Sequence, residues 1–475
     1  MKRYLVSWIA GALVLSCFTM CTKKVNKIEK PLNPETGQTT QTPGQNTGTA
    51  DPSADPSDDE VRATYAIGEC TYTVQPSQWV VDGANIPAGS VVCIPAGTRG
   101  ALLFKNLKGT ETAPIVIMNK GGKVNFTVAA TASYALKTQN CRYFKILGIG
   151  DAATKYGFNV NGGNISVTLD DLSSDFEISF VEVRNSGFAG IMAKTDPSCD
   201  IATQRGHFTM KNISLHHNYV HKTGGEGFYV GNSFYADGRP LACGTVLPHD
   251  VVNVKIYKNM IDSAGCEGIQ VGSAIAGCEV YKNTIRMPGL SPFANGQDNG
   301  IQIGEGTGGV CYANLIEKAP GDGIIVLGLG DNLVYNNIIL NAGEHGIFAD
   351  SRYTPGPNFK FINNTIISPA LNGVKLNSET IPMNTVINNV IISPGAGVAI
   401  ARKSTAVKLT ASNNYTGTDV SLLMFTDYAK KDFHLLPASP LINAGANVLL
   451  YGVYYDFYGK LHTAANAFDI GATEY

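Results

Sequence analysis

The chain has 475 residues, with 36 Lys and Arg against 38 Asp and Glu and a formal net charge of −2. That balance provides no basic field for nucleic acid, so no nucleic-acid partner is expected. Only 16% of residues are charged and 52 are Gly, a composition suited to short strands and tight turns.

Lys2 and Arg3 precede an apolar stretch from Leu5 to Leu15, too short to span a bilayer and suited to the apolar part of a secretory signal. It runs into Val14-Leu15-Ser16-Cys17, which resembles a bacterial lipobox. Residues 1–17 then form a lipoprotein signal peptide with Cys17 as the lipidation site; Cys21, preceded by Met20, is the weaker candidate. No later stretch offers ~20 apolar residues. The expectation is therefore a bacterial cell-envelope protein held by lipid to the outer or inner membrane, periplasmic or surface-facing. Residues 18–60, which include PLNPETGQTTQTPGQNTGTADPSADPSDDE, carry almost no apolar side chain and read as a disordered tether.

Eight cysteines follow, and an envelope location permits disulfides. Cys70 with Cys93 and Cys199 with Cys243 are the expected pairs.

From about residue 75 a frame recurs: LHHNYVHKTGGEGFYV, IYKNMIDSAGCEGIQV, CYANLIEKAPGDGIIV, VYNNIILNAGEHGIFA and FINNTIISPALNGVKL. Asn218, Asn259, Asn314, Asn337 and Asn364 are each followed nine residues later by Gly, at Gly227, Gly268, Gly323, Gly346 and Gly373. Asn283 with Gly300 carries eight extra residues, and Asn389 with Gly397 is one shorter. Apolar runs of three to five residues with period-two alternation indicate strands, and no helical stripe connects them. The expectation is an all-β chain, a right-handed parallel β-helix of coils of roughly 23–27 residues, in which stacking pairs each strand with its copies above and below. Asn is expected to take the left-handed turn conformation and to hydrogen-bond along the stack. Gly is expected where a Cβ would clash.

The frame resembles the pectate-lyase-like superfamily of parallel β-helices, which includes pectin, alginate and chondroitin lyases and polygalacturonases. The ending DFHLLPASPLINAG…DIGATEY resembles the C-terminal segment of many secreted bacterial members. This resemblance implies a β-helix over residues 61–430, a C-terminal capping segment over 431–475, and a monomer acting on a polysaccharide or oligosaccharide.

The residue before each ladder Gly should fall at one place on the coil. That column reads Ala189, Glu226, Glu267, Asn299, Asp322, His345, Asn372 and Ala396, polar at its centre and Ala at its ends. Insertions at 233–250 and 286–297 flank the same strands as walls of a cleft. Its floor would be the outward Tyr229, Gln270, Gln302, Phe348 and Lys375, which with Asn299 make the substrate-binding set; aromatic rings stack on sugars and amides bind hydroxyls. Tyr257, Tyr281, Tyr312 and Tyr335, two residues before each ladder Asn, are expected to be structural stacking.

Two reactions are open. Hydrolysis needs a proton donor and a second carboxylate, for which Glu267 and Asp322 are candidates, with His345 orienting Asp322 or shifting its pKa. Asp298-Asn299-Gly300, Asp322-Gly323 and Glu344-His345-Gly346 resemble the polygalacturonase set, with Val374-Lys375-Leu376 near its Arg-Ile-Lys element. Asn299 and Gly323 replace two of that set's carboxylates, and its Arg is missing. The lyase alternative calls for Ca²⁺ on Glu226 and Glu267, with Asp262 as a further oxygen donor, and Lys375, His221 or Arg239 as base. No other cofactor is implied. His216 and His217 would diverge on a strand and read as surface residues. A non-catalytic glycan-binding or adhesin-like β-helix is the alternative outside enzymology.

Overall fold

In the computed structural model, residues 57–351, 356–463 and 467–475 are described. The expected signal segment, Cys17, Cys21 and all but the last residues of the expected tether lie outside them.

The core of each coil is three short strands. One full turn shows the pattern: Val310–Tyr312, Leu315–Glu317 and Ile324–Val326. The next turn supplies Leu333–Tyr335, Ile338–Leu340 and Ile347–Ala349. Pairing between these turns is parallel, and Val310↔Leu333, Leu315↔Ile338 and Ile324↔Ile347 are each offset by the same 23 residues. Repeated along the chain, the third strand of each coil builds a 12-stranded parallel sheet from Val80–Asp82 to Ile400–Arg402, and the other two join in a 23-stranded array.

β-branched side chains fill the interior because strand positions alternate between faces. Ile261, Ile285, Ile316, Ile339, Ile366 and Ile391 stack on one wall; Ile269, Ile301, Ile324 and Ile347 stack on the short-strand wall, all essentially without exposure. Each such burial stabilises by about 1.5–3 kcal/mol relative to exposure.

At the corner between the two long-sheet strands, the asparagines form one continuous ladder. Asn314 Nδ2 donates to Asn337 Oδ1 at 2.9 Å and back to Val280 O at 3.0 Å, while Asn314 N donates to the same Asn337 oxygen. The pattern repeats from Asn218 through Asn259, Asn283, Asn337 and Asn364 to Asn389, ending on Asn414. The left-handed backbone falls elsewhere than expected. It belongs to the residue before each ladder Asn: His217, Lys258, Lys282, Ala313, Asn336, Asn363, Asn388 and Asn413 all have φ between 51° and 56°. The ladder Asn keeps ordinary φ so that its amide points inward to both neighbouring coils.

This geometry also corrects the reading of His216 and His217. The positive φ of His217 turns its ring back, so the two Nδ1 atoms meet at 2.7 Å and both rings are buried. His216 Nε2 lies 3.1 Å from Glu177 Oε1. The tyrosine column is a stack, with Tyr257, Tyr281 and Tyr312 rings 4.8 Å apart and inclined by 1°, and it matches the rise per coil.

Both expected disulfides are present, Cys70–Cys93 and Cys199–Cys243. A helix, Asp58–Ala63, begins inside the stretch expected to be tether. Ser57 and Glu60 form its capping box, a Ser-x-x-Glu start signal that composition alone hides. Arg62 seats it by lying over the Phe180 ring. Residues 431–463 and 467–475 fold against the outside of the coils: Phe433, Leu441 and Ile470 pack with outward Ile338, Ile367 and Val390.

Replacing Asn314 by Ala orphans the buried Asn283 N–H and removes a side-chain donor to the Val280 carbonyl. We expect a loss of about 2–4 kcal/mol, measured by denaturant unfolding. Asn414→Ala, at the half-exposed end of the ladder where water can substitute, should cost less.

Candidate functional site

The short-strand sheet fixes the column. Ile269, Ile301, Ile324, Ile347, Val374 and Ile400 are in register on successive strands. The preceding glycines are required: a Cβ on Gly323 would lie 2.6 Å from Gly346 O on the next coil and 2.4 Å from Ile339 Cγ2. The last rung differs from the sequence frame. Gly373 N donates to Val398 O and Val374 N to Ala399 O, so Ala399 takes the ladder place and Val398, not Ala396, ends the column. Ile400–Arg402 is the last short strand, so no following carbonyl excludes the alanine Cβ.

From Asn299 to Asn372 each side chain of the column caps the next coil. Asn299 Oδ1 accepts from Asp322 N at 2.9 Å, and Asp322 Oδ1 accepts from His345 N at 3.0 Å. His345 Nδ1 accepts from Asn372 N at 3.1 Å, and Asn372 Oδ1 from Val398 N at 2.9 Å. The Nδ1 of His345 is therefore an acceptor, which puts the proton of the neutral ring on Nε2. Burial, and then the charge of Lys375, push this imidazole down to about 4. Burial raises the Asp322 carboxyl to about 7, helped by the charges of Glu344 and Asp298.

Glu226 and Glu267 are closed from solvent, at 2% and 0% exposure, and an Oε2 of each is buried without a hydrogen-bond partner among the described residues. Burial lifts them to about 7 and about 8, and for Glu267 the charge of Glu226 adds to it. The covering element is the 286–297 insertion. Gly289 N donates to Cys266 O, Ser291 N to Gly265 O, and Asn299 Nδ2 reaches both Gly296 O and Glu267 Oε1. Phe293 packs on Phe188 with centroids 5.7 Å apart.

On the other side, the hairpin Arg239–Leu241 with Gly244–Val246 is tied to Cys199 by the disulfide. Lys194 lies over the Tyr229 ring at 4.6 Å and pairs with Asp196 at 2.8 Å. The outward column is in register as Met192, Tyr229, Gln270, Gln302, Ile325, Phe348 and Lys375. Tyr229 and Gln270 are buried, whereas Gln302, Phe348 and Lys375 are half-exposed. Ile325, two residues after Gly323, joins the floor by the same spacing, although the floor expected from sequence lacks it. The accessible stretch therefore runs from Asp298 through His345 and Phe348 to Lys375. Asp298, half-buried, sits one rung from Asp322, with Gly321 N donating to Asp298 O; the catalytic set expected from sequence does not contain it.

Two residues of the lyase alternative are elsewhere. His221 and Asp262 are partners on the long-sheet face, where His221 Nε2 approaches Glu182 Oε1 at 3.4 Å, so neither reaches the short-strand face. Arg239 lies in the hairpin. Among the described residues no group of three or more His, Cys, Asp or Glu is placed to hold a metal ion. Glu226 and Glu267 make only a pair.

Residues 249–415 match the family model described as a right handed beta helix region, in agreement with the architecture. Sequence comparison with curated proteins finds no match. Among solved structures, the chain is similar to an alginate lyase from Paenibacillus sp. str. FPU-7, at 16% identity over 73% of this chain and 100% of that one, TM-score 0.40. A GH136 lacto-N-biosidase from Eubacterium ramulus aligns at 13% identity, over 70% of this chain and 63% of that one, TM-score 0.48. The pectate lyase Pel9A aligns at 16% identity, over 82% and 89%, TM-score 0.42.

The raised carboxyls have a consequence for stability. Glu226, Glu267 and Asp322 hold protons more tightly folded than unfolded, so their contribution is fully present below about pH 4 and is lost as pH rises through about 7 to 8. Urea midpoints should fall between about pH 5 and about pH 8.5, and Glu267→Gln should flatten that decline.

Proposed function

We propose that this chain acts on a polysaccharide by glycoside hydrolysis on the outer face of the short-strand sheet. The observation that carries the reading is the Asp322 carboxyl, raised to about 7 and one rung from the more exposed Asp298. Burial raises both carboxyls, and we assign the acid to the deeper Asp322 and the base to the more exposed Asp298. Asp322 is the proton donor and Asp298 the ionised partner. The coil rise of 4.8 Å puts one-rung neighbours within reach of the roughly 5–9.5 Å carboxyl separations used in hydrolysis. His345, neutral and with Nε2–H outward of its capping bond, donates to sugar hydroxyls. Gln302, Phe348 and Lys375 provide a mixed polar and aromatic floor. Glu267, sealed beneath the 286–297 insertion, stays out of the reaction.

A second reading is supported by the capping bonds. Asn299, Asp322, His345 and Asn372 each satisfy the next coil, a structural task that a non-catalytic glycan-binding β-helix would share. For either reading we propose envelope anchoring through acylated Cys17, on the strength of the Val14-Leu15-Ser16-Cys17 sequence. Labelled fatty acid should enter the wild-type protein and be absent from Cys17→Ser.

Incubation with uronate-rich and neutral polysaccharides separates the possibilities. New reducing ends without the ultraviolet absorbance of an unsaturated uronate are expected. Asp322→Asn should lower kcat by about 10²–10⁴-fold with little change in KM, while Glu267→Gln leaves the rate essentially unchanged. Unsaturated products would replace hydrolysis by elimination, and retention on glycans without cleavage would favour the binder.

A further inference from the structure

The groove on the short-strand face has unlike ends. Tyr229 and Gln270 point outward from their strands, in one register column with Gln302 and Phe348, yet they are only 7% and 4% exposed. Side chains on the outer face of a sheet lose solvent in this way when other chain lies over them. Two insertions supply that cover. On one side, residues 286–297 fold back on the preceding coil: Leu290 N donates to Ala264 O, Ser291 N to Gly265 O, and Phe293 meets the Phe188 ring. On the other, Ser233 Oγ lies 2.9 Å from the Tyr229 hydroxyl, and the Tyr235 ring presses on Gly306 where a Cβ would collide with it. The Cys199–Cys243 disulfide and the Arg205 guanidinium, 3.7 Å from the Tyr235 ring, brace this second insertion.

Among the described residues the downstream end stays open. Phe348 and Lys375 are half-exposed, and Val398, at the last rung of the column, is 56% exposed. Asp298 and Asp322 therefore stand on the first two rungs clear of the covered end. Asp298 directly follows the 286–297 insertion, and a Cβ on Gly289 would lie 2.7 Å from its Cβ. A glycan laid along the column meets the wall about one rung upstream of this pair, while the rungs of His345 and Lys375 continue to the open end. One rung rises 4.8 Å, comparable to the advance of one sugar residue along an extended glycan.

We propose that the groove is blind-ended and that the protein is exo-acting: it takes a polysaccharide by one chain end and releases a mono- or disaccharide at each turnover. This rests on the hydrolytic reading of Asp322 and Asp298. In each turnover one water adds across one glycosidic bond. Asp322 protonates the leaving oxygen, Asp298 takes a proton from the water, and the hydroxyl joins the anomeric carbon. The wall built by the two insertions sets the length of what leaves.

The test gives the full-length protein a soluble β-glucan, an α-glucan, a xylan and polygalacturonate, and follows products by chromatography and the polymers by viscosity. Mono- or disaccharide should dominate the products from the earliest times, while viscosity falls slowly. Deleting Leu290–Asn295, the largely exposed tip of one insertion, keeps the Gly289 and Gly296 backbone bonds to Cys266 and Asn299. It should raise the share of trisaccharides and longer products severalfold. Phe293→Ala, which only loosens the wall from Phe188, should shift products the same way to a smaller degree. Mid-chain cleavage by the wild-type protein, or a product pattern unmoved in both variants, would overturn the proposal and leave hydrolysis standing. Cleavage of none of the four polymers would remove the hydrolytic reading and this proposal with it.

Discussion

Everything in this molecule depends on the hydrogen bonding that runs from one coil to the next. No coil can bury its own apolar face or satisfy its own strands; each is completed by its neighbours. The asparagine ladder fixes the angle at one corner, with amides that donate both forward and back. The glycine ladder fixes approach at another, because the next coil's carbonyl occupies the space a Cβ would need. Between these two constraints the register hardly varies, and a side chain's place on the coil becomes a place along a surface.

That register is why the column before the glycines is both structural and chemically interesting. A polar side chain there is close enough to cap the following backbone N–H, which explains Asn, Asp and His in succession. Capping uses one acceptor of each. Asp322 therefore keeps a second oxygen, and His345 a second nitrogen, at a rung where the covering insertion has ended. Upstream, the same column is sealed, and burial raises the Glu226 and Glu267 carboxyls to about 7 and about 8. One geometric series thus yields sealed glutamates at one end and, at the other, a buried aspartate beside a half-buried imidazole.

The coil repeat was legible because its two markers are demanded by contacts that few other residues can make. The positive-φ position before each Asn was not, since it accepts His, Lys, Ala and Asn alike and leaves no sequence mark. Gly397 makes the final copy look one residue short, whereas Ala399 can take the ladder position once no coil follows. The column was readable to the residue from Glu226 to Asn372. Its burial was not: the length of the 286–297 insertion gives no direction, and only the bonds to Cys266, Gly265 and Gly296 show that it folds over Glu267. His216 and His217 are misplaced by any reading that assumes an unbroken strand through the corner.

Hydroxyl-radical footprinting in the presence of mixed oligosaccharides tests the central claim most directly, with the exposed Trp79 as internal reference. Occupation of the short-strand face predicts that Phe348, His345 and Lys375 lose reactivity together while Trp79 does not. Unchanged reactivity at all three residues, in mixtures that the protein demonstrably binds or cleaves, would contradict it.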